Sequence, residues 1–354
     1  MPDSIDLRSE VVTRPTAAMW QVMSGAETGW AQKGEDPYVN RLEQRMAEET
    51  GMEASLFVFT ASLANLLALL YTANRGDHVV VEADMHLVWI EGWNLSSICG
   101  LYPRPVHSTR GEMPLDEVEK TLTAWRGPAT PTPSLVCVEN PHNDHGGTIV
   151  SAEYIADLAA LAHRHGCRVH MDGARLHNVA VATGRPLADF TRHLDTVTIS
   201  VNKGLGVPVG ALLCGSRSTI ERARSQGLRW LGAAGMHRGG IFAAAALHAL
   251  DTMVDRLGDD HRRARMLADG IRGAAGFDVN HPETNLVKVD TTPSGRGAQD
   301  FVSALEERGV RSTLREPGVF KLMTHHEIDD ADILRAVTEV RAVAEELAPA
   351  GAVT

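Results

Sequence analysis

Short apolar runs alternate with longer stretches of helical spacing along most of the chain. Runs at 55–59, 79–82, 135–138, 167–172 and 196–201 read as strands. Val39, Leu42 and Met46 recur at helical spacing and are closed by Gly51, which predicts a helix over 39–50. Further helices are expected at 17–24 (capped by Thr16), 63–71, 115–124 and 152–165, with one crossover helix between 172 and 203. A Pro/Thr-rich loop is expected at 125–133. From 217 to 250 the pattern is helical with a break at 232–240, and the alanine-rich run 243–247 implies tight helix packing. An amphipathic helix over 253–273 follows, whose arginines read as a solvated face. The remainder alternates strand 285–289, helix 298–308, strand 318–323 and helix 329–347. This alternation predicts an α/β fold with parallel β-α-β units. The break near 250 divides it into a large domain, 1–250, and a small α+β domain, 251–354. Residues 1–15 are too short for a core of their own, so they are expected as an arm lying across something else, such as a neighbouring subunit.

Composition narrows the picture. A chain of 354 residues exceeds what one core usually holds, in keeping with two domains. The net charge of −11 leaves no basic excess for nucleic acid or an anionic membrane. No apolar run spans a bilayer and the amino terminus has no signal-peptide core, so a cytoplasmic protein is expected. Cys99, Cys137, Cys167 and Cys214 lie in or beside apolar stretches and read as buried thiols, not a disulfide framework. Of the 16 histidines, the closest pairs are His142 with His145 and His163 with His165. Neither has the flanking cysteines or the H-x-x-x-H spacing of a zinc site, and no metal centre is expected.

The chemistry gathers at two strand ends. Lys203 follows the run 196–201 and precedes Gly204, Gly206 and Gly210, where a tight turn presents its amine to a ligand. The segment Gly-Leu-Gly-Val-Pro-Val-Gly is no dinucleotide fingerprint, because its spacing is wrong and Pro208 interrupts the helix that should follow. That weakens a dehydrogenase reading. Asp172 ends the preceding strand, one crossover earlier, at the sheet edge where open α/β folds bind ligands. An aspartate for a pyridinium nitrogen and a lysine for covalent attachment are the two protein groups that pyridoxal 5'-phosphate (PLP) needs. The turn Thr60, Ala61, Ser62 joins a strand to a helix amino terminus, the first place to look for its phosphate. The competing role is simple helix capping by Ser62.

With these residues in hand, the chain resembles the threonine aldolase/β-eliminating lyase family of PLP enzymes. The matching stretches are Asp6-Leu-Arg-Ser9, Gly34-Glu-Asp-Pro37, Glu139-Asn-Pro-His-Asn143, Asp172-Gly-Ala-Arg175, and Lys203-Gly-Leu-Gly206 with Pro208-Val-Gly210. The resemblance implies PLP fold type I: a seven-stranded, mostly parallel sheet between helices, with a small carboxy-terminal domain. It also implies a homo-oligomer, a tetramer by analogy, acting on an amino acid. The activity implied is retro-aldol cleavage of an L-β-hydroxy-α-amino acid to glycine and an aldehyde. β-Elimination and racemisation are the alternatives, since both use the same lysine and aspartate, and a catalytically silent scaffold is a third.

The residue roles follow from the resemblance. Lys203 would carry the cofactor and Asp172 would hold its ring nitrogen. His86 would stack on the ring, with Trp89 and Trp93 packed into the same wall. Arg175 would reach the cofactor's phenolate oxygen or the substrate carboxylate. His86 and His142, the latter through a water, are the candidate bases, and Ser9 and His142 are expected substrate contacts. Four positions depart from the family pattern: Ala61 stands where the phosphate turn usually has glycine, Ser62 where it has threonine, Lys321 where an arginine grips the substrate carboxylate, and Lys33 where a tyrosine approaches substrate. Lysine lacks the planar fork of arginine, so the grip at Lys321 is expected to be looser or differently aimed.

Overall fold

The computed structural model describes residues 4–124, 127, 131–227 and 236–347, together with the backbone of 228–231. Much of the loop expected at 125–133, and part of the helix break at 232–240, lie outside the described residues. The chain divides into two compact units. One takes residues 15–145 and 149–254, and the other 1–14, 146–148 and 255–354.

The first strand, β1 (Ile5–Asp6), pairs in parallel with Val310–Arg311 and so belongs to the carboxy-terminal unit. This corrects the expectation that residues 1–15 form an arm of the large domain. Ile5 and Leu7 are fully buried in that unit's core, among Leu267, Ile271, Phe301 and Phe320.

The larger unit is built on seven strands: β2 (Ala54–Val58), β3 (His78–Glu82), β4 (Tyr102–Val106), β5 (Pro133–Glu139), β6 (Arg168–Gly173), β7 (Thr196–Ser200) and β8 (Ala211–Gly215). Their order is β2-β8-β7-β6-β5-β3-β4, with β8 antiparallel to both neighbours and the rest parallel. Every residue of β7 and β8 is buried, so both faces of the sheet are covered, as continuous apolar runs require. The helix Ala61–Thr72 lies along one face, where its leucines meet Leu56, Val58, Leu213, Val79 and Leu135.

Two strands of this sheet, β4 and β8, are not among those expected from the sequence. The edge strand β4 carries Pro103 and Pro105, whose missing N–H groups belong at an open edge. The antiparallel β8 starts at the end of the glycine-rich turn after β7. Between β6 and β7 the expected single crossover helix is two, Leu176–Thr183 and Leu187–Thr191, separated by Gly184 in a left-handed conformation. The alanine-rich helix Gly240–Thr252 packs internally, on Ala17–Ser24 and Pro37–Thr50, with Ala243 to Ala246 all buried. Alanine methyls allow these backbones to approach closely.

The carboxy-terminal unit holds β9 (Asp278–Val279), β10 (Leu286–Asp290), β11 (Val310–Arg311), β12 (Thr313–Glu316) and β13 (Val319–Met323). Strands β12-β13-β10-β9 form an antiparallel sheet, covered by helices Leu257–Ile271, Ala298–Glu307 and Asp330–Leu347. Lys321 lies in the middle of β13, almost fully buried, opposite Lys288 of β10 and Thr313 of β12. Ser9 caps a short 3-10 helix, accepting from the Val11 N–H and donating to Glu10.

Candidate active site

Asp172 ends β6 and Lys203 follows β7, so parallel pairing brings both to one sheet edge. The turn that carries Lys203 is closed by backbone bonds from Gly206 N–H to the Lys203 carbonyl and from Val201 N–H to the Gly210 carbonyl. Gly210 has φ +137°, and a Cβ there would stand 2.5 Å from the Phe57 ring, so only glycine fits. Lys203 and Asp172 line one narrow cleft with His86, Glu139, Pro141, Asn143, Ala174 and Arg175.

Asp172 is buried yet fully satisfied. Its Oδ1 accepts from the Ala174 N–H at 3.1 Å and its Oδ2 from Asn65 Nδ2 at 2.9 Å. Burial alone would push its carboxyl up, but the charges of Lys203 and His86 outweigh that and hold it below the usual range. Behind it, His170 pairs through Nδ1 with Thr196 and through Nε2 with Asn65 Oδ1, and full burial drops its imidazole to about 4. His170 is therefore a neutral spacer.

His86 opens the short helix His86–Trp89. Its backbone N–H donates to Glu139 Oε2 at 2.6 Å, and its ring Nδ1 lies 2.8 Å from Glu91 Oε1. The other Glu139 oxygen accepts from the Asn143 N–H, and Asn143 in turn accepts from Arg175 at 3.4 Å. Glu139 thus ties His86 to the loop that faces Arg175.

His142 is not part of this cleft. Its side chain is 0% exposed and its Nε2 sits 2.7 Å from Glu82 Oε2, with Ser108 and His145 completing a closed cluster. A base must reach the proton it takes, so the expected role of His142 gives way to a structural one. Glu82, His142 and His145 do place three donor atoms within 4.8 Å of one another. However, 2.7 Å is a hydrogen-bond separation, whereas two ligands about 2.1 Å from a tetrahedral zinc stand about 3.4 Å apart.

The turn expected to hold the phosphate also differs in detail. Thr60, not Ser62, is the helix cap, accepting from the Leu63 N–H at 3.1 Å. The Ser62 hydroxyl donates to Glu91 Oε1 at 3.0 Å. Ala61 sits in ordinary helical backbone, so glycine is not needed there. The first-turn N–H groups of Ala61 and Ser62 are the donors that this turn offers an anion.

Neither departing lysine is among the residues that line this cleft. Lys33 ends an exposed 3-10 turn with its Nζ 4.0 Å above the Trp30 ring, and it does not line the Lys203 cleft of its own chain. Ser9 and Lys321 belong to the carboxy-terminal unit. Trp89 and Trp93, expected in the wall around His86, are instead 64% and 75% exposed.

Sequence reading missed Asn65, Glu82, Glu91, Glu139 and His170. Asn65 and His170 carried a usable signal, since each is a polar residue inside an otherwise apolar run. Glu91 carried none beyond its place five residues after His86.

The family model of the β-eliminating lyases matches residues 6–293. The chain is 36% identical over 336 residues to low-specificity L-threonine aldolase 1 of Arabidopsis thaliana, covering 93% of each chain. It is 34% identical over 343 residues to the low specificity L-threonine aldolase of Escherichia coli strain K12, covering 96% of this chain and 98% of that one. Among solved structures, a threonine aldolase of Leishmania major superposes with a TM-score of 0.80 at 17% identity, over 96% of this chain and 99% of that one. The family model spans most of the chain, and both aldolases exceed 30% identity over nearly its full length, so the chain belongs to the β-eliminating lyase family.

Proposed function

We propose that this chain is a PLP-dependent aldolase that cleaves an L-β-hydroxy-α-amino acid of the threonine type into glycine and an aldehyde. The observation that carries the reading is one cleft holding Lys203, an ionised buried Asp172 and the His86 ring. The donor set fits the cofactor: an amine to hold its aldehyde carbon, a carboxylate to keep its ring nitrogen protonated, and a flat imidazole beside them. When bound, PLP supplies the electron sink for the carbanion that forms at Cα.

The chain's own residues do the rest. Asp172, fixed by Asn65 and the Ala174 N–H, offers a charge that does not reorganise during the reaction. Arg175, held by Asn143, presents a cation for a carboxylate or phenolate oxygen. The ring of His86 takes the β-hydroxyl proton as the Cα–Cβ bond breaks and the aldehyde leaves. Glycine follows once Cα regains a proton. Ser9, Lys33 and Lys321 are proposed substrate contacts, Lys33 by reaching a neighbouring subunit's site from its exposed turn.

A homo-oligomer, a tetramer by resemblance, accords with the exposed apolar side chains of Trp20, Trp89, Ile90 and Trp93. Among the described residues no helix is long and apolar enough to cross a membrane.

Product analysis tests the reading. PLP-loaded protein given L-threonine should yield glycine and acetaldehyde in equal amounts. 2-Oxobutanoate with ammonia would mean β-elimination, and a D-configured amino acid would mean racemisation. Either would overturn the aldolase assignment.

A further inference from the structure

Glu91 is the most constrained carboxylate near the cleft, yet it does not line it. Its side chain is 3% exposed, and its Oε1 takes three partners: His86 Nδ1 at 2.8 Å, Ser62 Oγ at 3.0 Å and Asn65 Nδ2 at 3.3 Å. Its Oε2 is buried with no hydrogen-bond partner among the described residues. A buried carboxylate oxygen without a donor is costly unless a cation lies close. The His86 ring is the group beside it that can carry a positive charge, and the bond to Glu91 favours its protonated form.

The rest of the network fixes orientation. His170 donates its Nε2–H to Asn65 Oδ1, which turns the amide so that Nδ2 faces both carboxylates, Glu91 and Asp172. Asn65 is thereby a two-headed donor between them. The Ser62 hydroxyl, used here, fastens the phosphate turn to the same oxygen.

We infer that Glu91 is a positioning residue. It holds His86 in the tautomer protonated at Nδ1, leaving Nε2 as the basic nitrogen for the substrate hydroxyl, while Asn65 locks this pair to Asp172. The logic is that of any carboxylate–histidine dyad: the acceptor on one ring nitrogen decides which nitrogen is basic. The inference rests on the aldolase reading for the proton's destination, though not for the tautomer.

The groups facing His86 are Glu91, Asp172 from β6, Glu139 from β5, and the cations Lys203 and Arg175 across the cleft. Burial opposes the charged ring, but the Glu91 hydrogen bond and the charges of Asp172 and Glu139 outweigh it and raise His86 above its usual value. The active form is the neutral ring. The acid limb of kcat/KM should therefore lie above the ordinary imidazole value of about 6.5.

The test uses the full chain, with and without PLP. Nitrogen-15 NMR of the neutral His86 ring, assigned by comparison with His86→Asn, should show the proton on Nδ1. A proton on Nε2 would overturn the inference without any variant. In Glu91→Gln, which keeps size and loses charge, the His86 midpoint should fall by about one unit or more, and the acid limb of kcat/KM by the same amount. Glu91→Asp should restore part of the shift. An unchanged midpoint in Glu91→Gln would contradict the inference even if activity fell. Absence of threonine cleavage alongside an Nδ1 proton would overturn the aldolase reading and support the pairing.

Discussion

Two Glu–His pairs stand at neighbouring strand ends of the same sheet, one bonded through Nδ1 of its ring and the other through Nε2, and they differ in access to the cleft. Glu91–His86 and Glu82–His142 have ring-to-carboxylate distances of 2.8 and 2.7 Å. The His86 side chain is 29% exposed and lines the cleft, while that of His142 is 0% exposed and sealed behind Ser108 and His145. Residue type, partner and separation are the same. On the proposed reading, what separates the base from the structural histidine is whether the second ring nitrogen has somewhere to send a proton.

Breaking each pair in turn should show the difference. His86→Asn removes the base and is expected to lower kcat/KM for threonine by about 10²–10⁴-fold, with little loss of stability. His142→Asn should do the reverse, costing about 2–3 kcal/mol of stability, because Glu82 loses its shortest partner while buried. The folded fraction should keep near-normal kcat/KM. Denaturant unfolding of both variants beside steady-state kinetics reads the contrast, and a large loss of kcat/KM in stable His142→Asn would return His142 to the reaction.

The pH dependence of that stability difference sharpens the comparison further. Burial opposes the charge on His142, but Glu139 and Glu82 outweigh it and raise its pKa. Burial likewise opposes the charge on Glu82, but its bonds to His142 and His145 outweigh it and lower its pKa. A raised histidine contributes stability below its unfolded value of about 6.5 and loses it as pH rises through the folded value. A lowered glutamate contributes above its unfolded value of about 4.3 and loses it as pH falls through the folded value. The wild type should exceed His142→Asn by most between about pH 4.5 and 6.5, and the gap should narrow toward pH 9. A flat difference would show that the pair is not ionic.

The same comparison explains how much of the molecule was legible from the sequence. The strands around Asp172 and Lys203 were legible because apolar runs ending in glycine leave few alternatives. β4 was not, since Pro103 and Pro105 break the apolar pattern that an edge strand can dispense with. Lys203 and Asp172 could be read because strand topology brings them to one edge, whereas His86 and Arg175 were read from the family resemblance. His142 was misread, since motif position says nothing about which way an imidazole faces. Glu91 was hidden because its role depends on side-chain packing against Asn65, 26 residues away. The amino-terminal strand was assigned to the wrong unit because its partner, Val310–Arg311, lies 305 positions away, and no local pattern encodes such a pairing.

The smallest effect is expected at Lys33. Its contact is with Trp30 on an exposed turn, so Lys33→Ala should leave stability within about 1 kcal/mol of wild type. A change in kcat/KM for threonine that appears only in the oligomer would place this lysine at a neighbour's cleft.

The central claim is that the Lys203 cleft carries the cofactor. Borohydride reduction of the PLP-loaded protein, followed by peptide mass spectrometry, tests it most directly. The phosphopyridoxyl group is expected on Lys203 alone, and Lys203→Ala should carry none. A reduced adduct on Lys33, Lys321 or any other lysine, with Lys203 unmodified, would contradict the account.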